Sequence, residues 1–480
     1  MKKYILVFIA LSYLNVTQSQ NIASFLSACK SHGFRGSVLL ASNGKIVLEN
    51  GYGLADAESG RAQTPATVFS VGSITKQFTA AGIMKLVQEK KLAVTDKLSN
   101  YFPQVPADKK DITLHQLLTH SAGFSPALGD DYEKVTAEEF SSLAFKTPLS
   151  FAPGDQYDYS NVGYSLLGII IEKVTGMGYE KFLNEKLFKP SGMSQTGYLI
   201  PGFSKEQLAT GYRDNVRWGT ALDRPWLNDG PGWHLRANGG MLSTVGDMYK
   251  WYLALKNNMV LAMEQTNMMF MKHIAENPKG ISHYGYGWVL QDFGGKKFVW
   301  HNGGNGVYNA YMAFALEEDL CVIVSSNTSN IISDKIGIEL FRIFSGKQPG
   351  ALPEAIMREE EPYRTNPVTQ AVVTSIIGKG GTYFSAHYED ILKQAGFDFE
   401  NDMQLLGAGE RLMENEQWEN AIQLFTVYSK LFPRIVVAWN RLGRCYLKQS
   451  NKEKAKECFK KSIAIRANDN PAVQLLEELN

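Results

Sequence analysis

Strand-like segments lie at the two ends of one long region of the chain, and the residues between them have apolar side chains at helical spacing. Two segments come early and four come late, at residues 36–41, 45–50, 287–292, 297–301, 307–315 and 320–325. Tight turns such as Gly294-Gly295 join neighbouring segments, which predicts a mostly antiparallel sheet. The helical middle, from Ile74 to about Tyr286, must pack on this sheet and beside it. The sequence therefore predicts an α/β fold with an antiparallel sheet, flanking helices and a helical lobe.

The N-terminus has the pattern of a secretory signal. Two lysines precede an apolar run over residues 4–14, which is too short to span a bilayer. Small residues at Thr17 and Ser19 fit cleavage near Ser19, so we predict a signal peptide over residues 1–19. The mature protein is then expected to be secreted, and to be periplasmic if the host has two membranes.

A competing interpretation concerns the segment Leu26-Ser27-Ala28-Cys29, which resembles the lipobox of bacterial lipoproteins. In that case a lipid would be attached to Cys29. A polar stretch over residues 15–21 separates this segment from the apolar run, and this separation favours the secreted form without a lipid.

Charge and cysteine content exclude several classes of function. The formal net charge is +1, which gives no reason to expect a nucleic-acid partner or a membrane surface. Four cysteines in so long a chain do not indicate a disulfide framework, and their spacing does not match a metal site; they are Cys29, Cys321, Cys445 and Cys458. His115 and His120 have four residues between them, but no carboxylate or cysteine completes a zinc signature. The sequence therefore implies neither a metal nor a cofactor.

A serine and a lysine three residues apart form the first of three motifs in fixed order. Ser73 precedes a helix-like run, so we expect it at a helix start, where unpaired amides and the positive end of the dipole favour developing negative charge. Lys76 would lie on the same face, one turn above the hydroxyl. The pattern Ser-x-x-Lys also occurs at residues 27–30 and 42–45, so this motif alone is weak evidence.

Two further motifs complete the pattern of an acyl-transfer site. The second is Tyr159-Ser160-Asn161, and the third is His301-Asn302-Gly303-Gly304. A serine hydroxyl is a poor nucleophile at neutral pH, so it needs a base within hydrogen-bond reach and amide donors for the oxyanion. Lys76 and Tyr159 have similar unperturbed pKa values, and the sequence leaves open which of them takes the proton. The ordered trio indicates an acylating serine hydrolase.

With these motifs the chain resembles the serine β-lactamase and penicillin-binding protein superfamily, in its branch of class C β-lactamases, D-alanyl-D-alanine peptidases and related esterases. The resemblance implies a β-lactamase/transpeptidase-like fold, with the site in a crevice between the helical lobe and the sheet edge that carries His301. We assign residues 20–347 to this serine hydrolase domain. Other matching segments run from Gly36 to about Asn327 and include residues 50–53, 117–123, 153–154, 239–244 with Asp247, and 325–327.

The resemblance also implies roles for individual residues. Ser73 would be acylated, and Lys76 and Tyr159 would be the other catalytic residues, which handle protons. The N–H groups of Ser73 and Gly304 would form the oxyanion hole, and Asn161 would hold the acyl amide. The expected substrate-binding residues are Asn161, His301, Asn302, Gly303 and Gly304.

The third motif departs from the β-lactamase pattern at His301. β-Lactamases of this family carry Lys-Thr-Gly or Lys-Ser-Gly there, and the ammonium and hydroxyl engage the carboxylate of the antibiotic. A histidine that is largely neutral at pH 7 binds this carboxylate more weakly than a lysine does. The alternative is a purely structural role, in which the side chain at the strand end is bonded to a backbone carbonyl. Because peptidases and esterases of the family share the His-x-Gly form, we expect an ester or a D-amino-acid peptide as substrate. A true β-lactamase and a non-catalytic scaffold are the alternatives.

Two segments between the motifs have competing interpretations. Residues 180–184 match the Glu-x-x-Leu-Asn signature of class A β-lactamases, but helical periodicity favours an amphipathic helix with Glu180 in solvent. An aromatic stretch over residues 212–233 could line an acyl pocket, although packing is the commoner reason for a tryptophan. Its tryptophans are Trp218, Trp226 and Trp233.

An internal repeat lies near the C-terminus. Residues 439–459 fit the tetratricopeptide pattern, and a shift of 34 residues reaches equivalent positions between Leu405 and Phe425. We predict a linker with short helices over residues 348–400, and repeats with a capping helix over residues 401–480. Two repeats and a cap bury little apolar surface by themselves, so the tail is expected to dock on the hydrolase domain, on a second copy or on a protein partner.

Overall fold

The computed structural model describes residues 20–213, 216–293, 296–328, 332–344, 367–397, 403–465, 472–477 and 479. The chain divides into two compact units, Met1–Glu360 (the first unit) and Glu361–Asn480 (the second unit). The predicted signal peptide and the Gly294-Gly295 turn lie outside the described residues. None of the helices in these ranges combines the length and the apolar character needed to cross a membrane.

One antiparallel sheet forms the centre of the first unit. Of the strands in the described residues, eight form this sheet in the order β2-β1-β14-β13-β12-β11-β10-β9, and six form three short pairs outside it. The predicted antiparallel sheet is therefore confirmed. The strands are β1 Gly36–Ser42, β2 Lys45–Tyr52, β3 Leu54–Asp56, β4 Arg61–Ala62, β5 Phe69–Ser70, β6 Gly211–Arg213, β7 Val216–Gly219, β8 Leu242–Ser243, β9 Ile274–Ala275, β10 Ser282–Tyr284, β11 Val289–Phe293, β12 Lys296–Gly304, β13 Asn309–Ala315 and β14 Leu320–Ser326.

The central strands of this sheet have apolar cores on both faces. All seven residues of β1 are buried between its neighbours β2 and β14. Successive side chains of a strand point to opposite faces. Val38 and Leu40 accordingly pack with the helix over residues 20–31, whereas Leu39 and Ala41 pack with the helical middle. The sheet thus separates two cores, which explains why its central strands are almost continuously hydrophobic.

Two helices position the first two motifs. Thr75–Gln88 (α2) and Asn161–Thr175 (α5) pack closely at Gly82, where a β-carbon would lie 3.0 Å from Cδ1 of Ile171. The Ser160 hydroxyl accepts a hydrogen bond from the N–H of Gly163 and so caps α5 directly after Tyr159. The other helices of the first unit are α1 at residues 20–31, α3 Leu114–Leu118, α4 Ala137–Lys146, α6 Tyr179–Leu183, α7 Val245–Lys256, α8 Met263–Met269 and α9 Ser333–Phe344.

The structure corrects the prediction at three strands. The helical middle predicted up to Tyr286 ends earlier, because β9 and β10 extend the sheet beyond β11. β12 continues through the whole third motif, since its pairing with β13 runs as far as Gly304 opposite Asn309. β12 lies between β11 and β13, but its pairing with β11 ends at Trp300, so among the described strands residues 301–304 pair only with β13 and His301 begins the predicted sheet edge.

The described residues of the second unit are helical, including part of the predicted linker. Within the segment predicted as a linker with short helices, residues 367–394 form two helices of 13 and 14 residues. The second of these contacts the repeat helices, because the N–H of Gly381 donates to Asn420 and the Ser385 hydroxyl donates to Gln423, both at 2.9 Å. The helices are Pro367–Lys379, Gly381–Gln394, Met403–Glu414, Trp418–Leu431, Val436–Lys448, Lys452–Ile465 and Ala472–Glu477.

The same glycine–aromatic contact occurs twice in the second unit. A β-carbon at Gly409 would lie 2.3 Å from the Phe425 ring, and one at Gly443 would lie 2.5 Å from the Phe459 ring. Each residue of the second pair follows its counterpart by 34 residues, which is the tetratricopeptide period. Glycine at both positions therefore lets an aromatic ring approach the backbone of the neighbouring helix.

Candidate active site

Ser73 lies in a 3₁₀ turn that leads directly into α2. The Thr75 hydroxyl donates to the carbonyl oxygen of Gly72 at 2.7 Å, and the N–H of Val71 donates to the carbonyl oxygen of Met241 at 2.8 Å. These bonds hold the turn against its own helix and against the chain near β8. The serine hydroxyl is thus placed at a helix N-terminus, where developing negative charge is favoured.

The end of β12 packs against this turn through two glycines. A β-carbon at Gly303 would lie 2.8 Å from the amide nitrogen of Ser73, and one at Gly72 would lie 2.5 Å from the amide nitrogen of Gly304. Side chains are not tolerated so close to backbone atoms, and Gly72 also has a φ of +52°. The contact brings the amides of Ser73 and Gly304 to one junction, the arrangement that oxyanion stabilisation requires.

The Lys76 amine is buried and lies against three oxygen atoms. Its Nζ is 2.7 Å from Asn161 Oδ1, 2.8 Å from the Asn238 carbonyl oxygen and 3.3 Å from Ser73 Oγ. A neutral amine can donate to the two nearer oxygens and accept from the serine hydroxyl with its lone pair. Burial lowers the pKa of Lys76 well below its usual value, and the negative charge of Asp131 opposes this shift. Burial therefore favours a neutral amine, and the geometry allows that amine to act as a base toward Ser73.

The Tyr159 ring lies beside Lys76, with Nζ 4.6 Å from the ring centroid. Its buried hydroxyl has no hydrogen-bond partner among the described residues. Burial raises the pKa of Tyr159 above its usual value, and the Ser73 side chain opposes this rise only in part. Tyr159 is therefore held as a protonated phenol whose O–H can serve a bound substrate.

The His301 side chain is bonded inside the protein through both ring nitrogens. Nδ1 lies 2.5 Å from the carbonyl oxygen of Asn302 and must donate to it, so Nε2 accepts from the Tyr284 hydroxyl at 3.0 Å. Burial lowers the pKa of His301 to about 3, which keeps the ring neutral. In β12 the alternate residues Asn302 and Gly304 are exposed, whereas His301 is 2% exposed. The structure thus agrees with a structural role for His301, in which its ring is bonded to a backbone carbonyl and is not presented to a substrate.

A cavity of about 460 Å³ opens at the junction of the turn and β12. This volume is within the range of roughly 300–1,000 Å³ that is typical of small-molecule sites. Lys76 and Asn161 lie behind its wall, with Lys76 reaching Ser73 from the protein interior. The cavity is lined by Ser73, Tyr159, Asn302, Gly303, Gly304, Gly306, Tyr308 and Asn309.

Five positions at or near the site were missed by the sequence analysis. Asn238 supplies a carbonyl oxygen to Lys76, and His120 packs on Tyr159 with ring centroids 4.3 Å apart. The other three line the cavity and are Gly306, Tyr308 and Asn309. His120 and Asn238 lie in or next to segments that support the family resemblance, but no local pattern indicates their contacts. These contacts join residues more than 30 positions apart and depend on the folded chain.

Glu180 is buried rather than in solvent, which corrects the prediction for the 180–184 segment. The helix is present as Tyr179–Leu183, but Oε1 of Glu180 accepts hydrogen bonds from the backbone N–H groups of residues 198–200. Three amide donors compensate for the burial of a carboxylate. Glu180 is therefore bonded to a loop and is not among the residues that line the cavity.

The tryptophans of the aromatic stretch are packing residues. Trp233 is 2% exposed in the main core, and Trp226 packs against the same core. Trp218 contacts the ring of Tyr308 edge-on at 5.9 Å and so supports one wall of the cavity from behind. None of the three lines the cavity itself.

The remaining sequence candidates do not form a second site. His115 bonds to the Tyr286 hydroxyl at 2.8 Å and is not paired with His120. Within the described residues no group of three histidine, cysteine, aspartate or glutamate side chains could hold a metal ion. Cys29, the residue of the lipobox interpretation, is 0% exposed in the core between α1 and the sheet, and burial raises the pKa of its thiol to about 12.

Comparison with known proteins covers both units of the chain. The family model described as Beta-lactamase matches residues 21–338, and the one described as Tetratricopeptide repeat matches residues 436–469. A solved structure, the octameric penicillin-binding protein homologue from Pyrococcus abyssi, is 30% identical with a TM-score of 0.60, over 71% of this chain and 80% of that chain.

Two curated relatives are similar over the same region. The putative penicillin-binding protein PbpX of Bacillus subtilis (strain 168) is 30% identical over 275 residues, which are 57% of this chain and 66% of that protein. Protein flp of Staphylococcus aureus is 25% identical over 316 residues, which are 63% of this chain and 61% of that protein. The chain thus covers less than two thirds of the length of both.

These relatives support a serine hydrolase-type function for the first unit. The matched region includes all three motifs and the junction of the serine turn with β12. The chain therefore belongs to the beta-lactamase family and carries a tetratricopeptide repeat in its second unit.

Proposed function

We propose that the protein is a secreted serine hydrolase that forms an acyl-enzyme at Ser73 and acts on an ester or on a D-amino-acid peptide. The observation that carries the proposal is the position of the Lys76 amine. It lies 3.3 Å from Ser73 Oγ, with its two N–H donors satisfied by Asn161 and Asn238. A non-catalytic scaffold has no need of a buried lysine amine within hydrogen-bond distance of a serine hydroxyl.

The acylation step uses Lys76 as the base. The Ser73 proton passes to Nζ while Oγ attacks the carbonyl carbon of the substrate, and the oxyanion is stabilised by the N–H groups of Ser73 and Gly304. The intermediate collapses when the bond to the leaving group breaks. The leaving group takes the proton of the Tyr159 hydroxyl, and the Lys76 ammonium restores that proton.

Deacylation repeats these transfers with water as the nucleophile. Water gives one proton to the neutral Lys76 amine and attacks the ester carbon, and the acid is released when the bond to Ser73 Oγ breaks. Oγ then recovers its proton from Lys76. The serine and the lysine return to their starting forms, so no co-reactant besides water is required.

The substrate class follows from the charge around the third motif. A β-lactam antibiotic carries a carboxylate, for which the family's β-lactamases supply a lysine. Here the corresponding residue is His301, whose ring is neutral and bonded to Asn302 and Tyr284. A neutral ester or a peptide bound through backbone-like groups needs no such cation, which supports the proposed preference.

Labelling of the nucleophile tests the proposal. The wild-type protein is treated with a fluorophosphonate, digested and examined by mass spectrometry, with Ser73→Ala as the matched variant. We expect one adduct, on the peptide that contains Ser73, and none in the variant. An unlabelled Ser73 in folded wild-type protein would refute the enzyme proposal.

Export and a partner for the second unit are also part of the proposal. Export is inferred from the signal pattern over residues 1–19, and it predicts that the mature protein in a periplasmic or secreted fraction lacks this segment. The tetratricopeptide match and the octameric relative from Pyrococcus abyssi support a protein partner or a second copy. Light scattering of the purified full chain separates these two cases.

A further inference from the structure

His120 contacts the chain on both sides of Tyr159. The N–H of Ser160 donates to Nδ1 of His120 at 3.0 Å, and the N–H of Asp158 donates to the carbonyl oxygen of His120 at 2.9 Å. The two residues that flank Tyr159 are therefore bonded to one residue, once through its side chain and once through its backbone. This arrangement restrains the backbone that carries the Tyr159 side chain.

The His120 ring also packs on the Tyr159 ring. The ring centroids are 4.3 Å apart with an interplanar angle of 35°, and His120 is 2% exposed. On another side its ring meets Tyr284 at 4.6 Å and 62°. Backbone bonds and ring packing together leave the Tyr159 side chain little freedom to move away from Ser73.

The bond from Ser160 determines the protonation state of His120. Nδ1 accepts a hydrogen bond and so carries no hydrogen. The single ring proton of a neutral imidazole is therefore on Nε2. Burial lowers the pKa of His120 well below its usual value. The other titratable groups around this ring are Lys76 and His301, which are neutral in the resting site, and the phenols Tyr157, Tyr159, Tyr164 and Tyr284. A neutral ring keeps the Nδ1 acceptor available for the Ser160 N–H.

His120 has an uncommon backbone conformation, with a φ of +57°. This left-handed conformation turns the chain so that both the carbonyl oxygen and the side chain of one residue face the 158–160 segment. Few non-glycine residues adopt it, and histidine adopts it more readily than most, as asparagine and aspartate do. Histidine therefore suits a position that needs both this backbone conformation and a side-chain acceptor for the Ser160 N–H.

We propose that His120 is a positioning residue that holds the Tyr159 hydroxyl at the reaction centre through the Ser160 N–H bond and ring packing. The inference deepens the proposed function and rests on it. His120 touches neither the substrate cavity nor Ser73, and it acts on the reaction only through Tyr159. Loss of this restraint displaces the phenol, and misplacement by about 1 Å can cost roughly 10²-fold in rate.

Two variants separate the elements of this role. His120→Gly accepts the positive φ without strain and removes both the acceptor and the ring. His120→Asn also tolerates this conformation, and its side-chain oxygen can occupy the position of Nδ1 and accept from Ser160. We expect His120→Gly to lower kcat on an amide or an alkyl ester, whose leaving group needs the Tyr159 proton, by roughly 10–100-fold with little change in KM, and His120→Asn to recover most of that loss.

His115→Ala is the matched control for loss of a buried histidine nearby. His115 lies on α3 and contacts Tyr286 and His273, and it makes no ring contact with Tyr159. We expect it to lower the melting temperature while kcat stays within about threefold of wild type. A purely structural role for His120 would instead lower kcat and the melting temperature together in both His120→Gly and His120→Asn.

A double-variant cycle gives the decisive readout. If His120 acts through Tyr159, then His120→Gly has little further effect on kcat in a Tyr159→Phe background. If His120→Gly does not fold, the cycle uses His120→Gln, which keeps a polar side chain but places its amide one methylene farther out. Additive effects in the cycle would overturn the positioning role. Absence of Ser73 labelling in the wild type would instead contradict the proposed function itself.

Discussion

The first and second units bury their apolar residues through different kinds of contact. In the first unit the decisive contacts join distant parts of the chain, as when β1 pairs with β14 and Lys76 bonds to the Asn238 carbonyl. In the second unit they join neighbouring helices and recur after 34 residues, as at Gly409 and Gly443. Non-local contacts bring polar groups together in one cavity, whereas repeated local contacts produce a stack of similar helices.

The two kinds of contact serve different purposes: polar groups in the first unit serve catalysis, whereas the repeated contacts in the second unit serve stability. The first unit buries a lysine, two histidines and several phenols around one serine, at the expense of the stability that apolar side chains would supply. The second unit places small residues and rings at its repeated contacts and has no counterpart of the Ser73 turn in its described residues. Substitutions in the first unit are therefore expected to change rates, and those in the second unit to change stability or assembly.

The largest effect is expected at Lys76. Lys76→Ala removes the base, so the rate of Ser73 acylation should fall by roughly 10²–10⁴-fold for every substrate. Tyr159→Phe should lower turnover of an amide strongly and that of a p-nitrophenyl ester much less, because p-nitrophenolate leaves without a proton. Single-turnover kinetics with both substrates measure the difference.

Lys85→Ala is the control, since this lysine also lies on α2 but bonds to the Val260 carbonyl oxygen. It should leave acylation within about threefold of wild type. Near-normal acylation in Lys76→Ala would instead show that Tyr159 or another group is the base.

The next prediction compares a glycine-to-alanine substitution in the first unit with one in the second unit. Gly303→Ala places a methyl group 2.8 Å from the Ser73 amide nitrogen, whereas Gly443→Ala places one 2.5 Å from the Phe459 ring. Displacing an oxyanion donor should lower kcat by roughly 10²–10³-fold. Overpacking of the repeat should lower the unfolding free energy of the second unit by about 1–3 kcal/mol without changing kcat.

Ester kinetics and thermal unfolding of both variants give the test. Equal loss of kcat in Gly303→Ala and Gly443→Ala would contradict the separation of chemistry from stability. Gly178→Ala is a suitable control for the alanine itself, because a β-carbon there has no neighbour within 4 Å and its φ of −58° suits any residue.

The sequence predicts contacts that follow from local spacing. Ser73 lies in the 3₁₀ turn and Lys76 in the first turn of α2, three residues later, so their proximity requires only this local helical structure. The 34-residue repeat is similarly visible as identical residue types at Gly409 and Gly443. The apolar runs of β1 and β14 likewise predict strands, but no local pattern indicates that these two strands pair across almost 300 residues.

The incorrect predictions concern long-range polar partners. A glutamate on a short amphipathic helix is normally exposed to solvent. Glu180 can be buried because the backbone N–H groups of residues 198–200 donate hydrogen bonds to its carboxylate. His301 is similarly directed inward by Tyr284, which lies on a strand that periodicity did not indicate. The His120 contacts depend on a positive φ that no single-sequence pattern predicts for histidine.

Substrate preference is expected to show a smaller but clear difference. Because His301 is neutral and its nitrogens are occupied, a cephalosporin carboxylate has no lysine partner in the third motif. A neutral aryl ester of a short acid should therefore have a higher kcat/KM than a cephalosporin. Steady-state kinetics with both compounds decide this point, and faster cephalosporin hydrolysis would favour the β-lactamase alternative.

The pH dependence tests the charge beside Lys76. Activity requires the neutral amine, so kcat/KM should fall as the pH drops below the pKa of Lys76. The Asp131 carboxylate favours the ammonium and raises that pKa, whereas Asp131→Asn removes this effect. The acid limb of the pH profile should therefore move to lower pH in Asp131→Asn. Movement to higher pH, or no movement in a folded variant, would contradict the electrostatic contact with Lys76.

The smallest effect on chemistry is expected from removal of the second unit. Truncation after Glu360 leaves the three motifs, the main sheet and both of its apolar cores intact. It removes the tetratricopeptide match at residues 436–469, which contributes no residue to the cavity. We therefore expect kcat on a small ester to stay within about threefold of the full chain, while the oligomeric state, or activity on a large natural substrate, changes.

Light scattering and ester kinetics on the truncated protein measure the oligomeric state and kcat, with Ser73→Ala in the truncated chain as the blank. Loss of ester turnover in a folded, monodisperse sample would show that the second unit helps to form the active site.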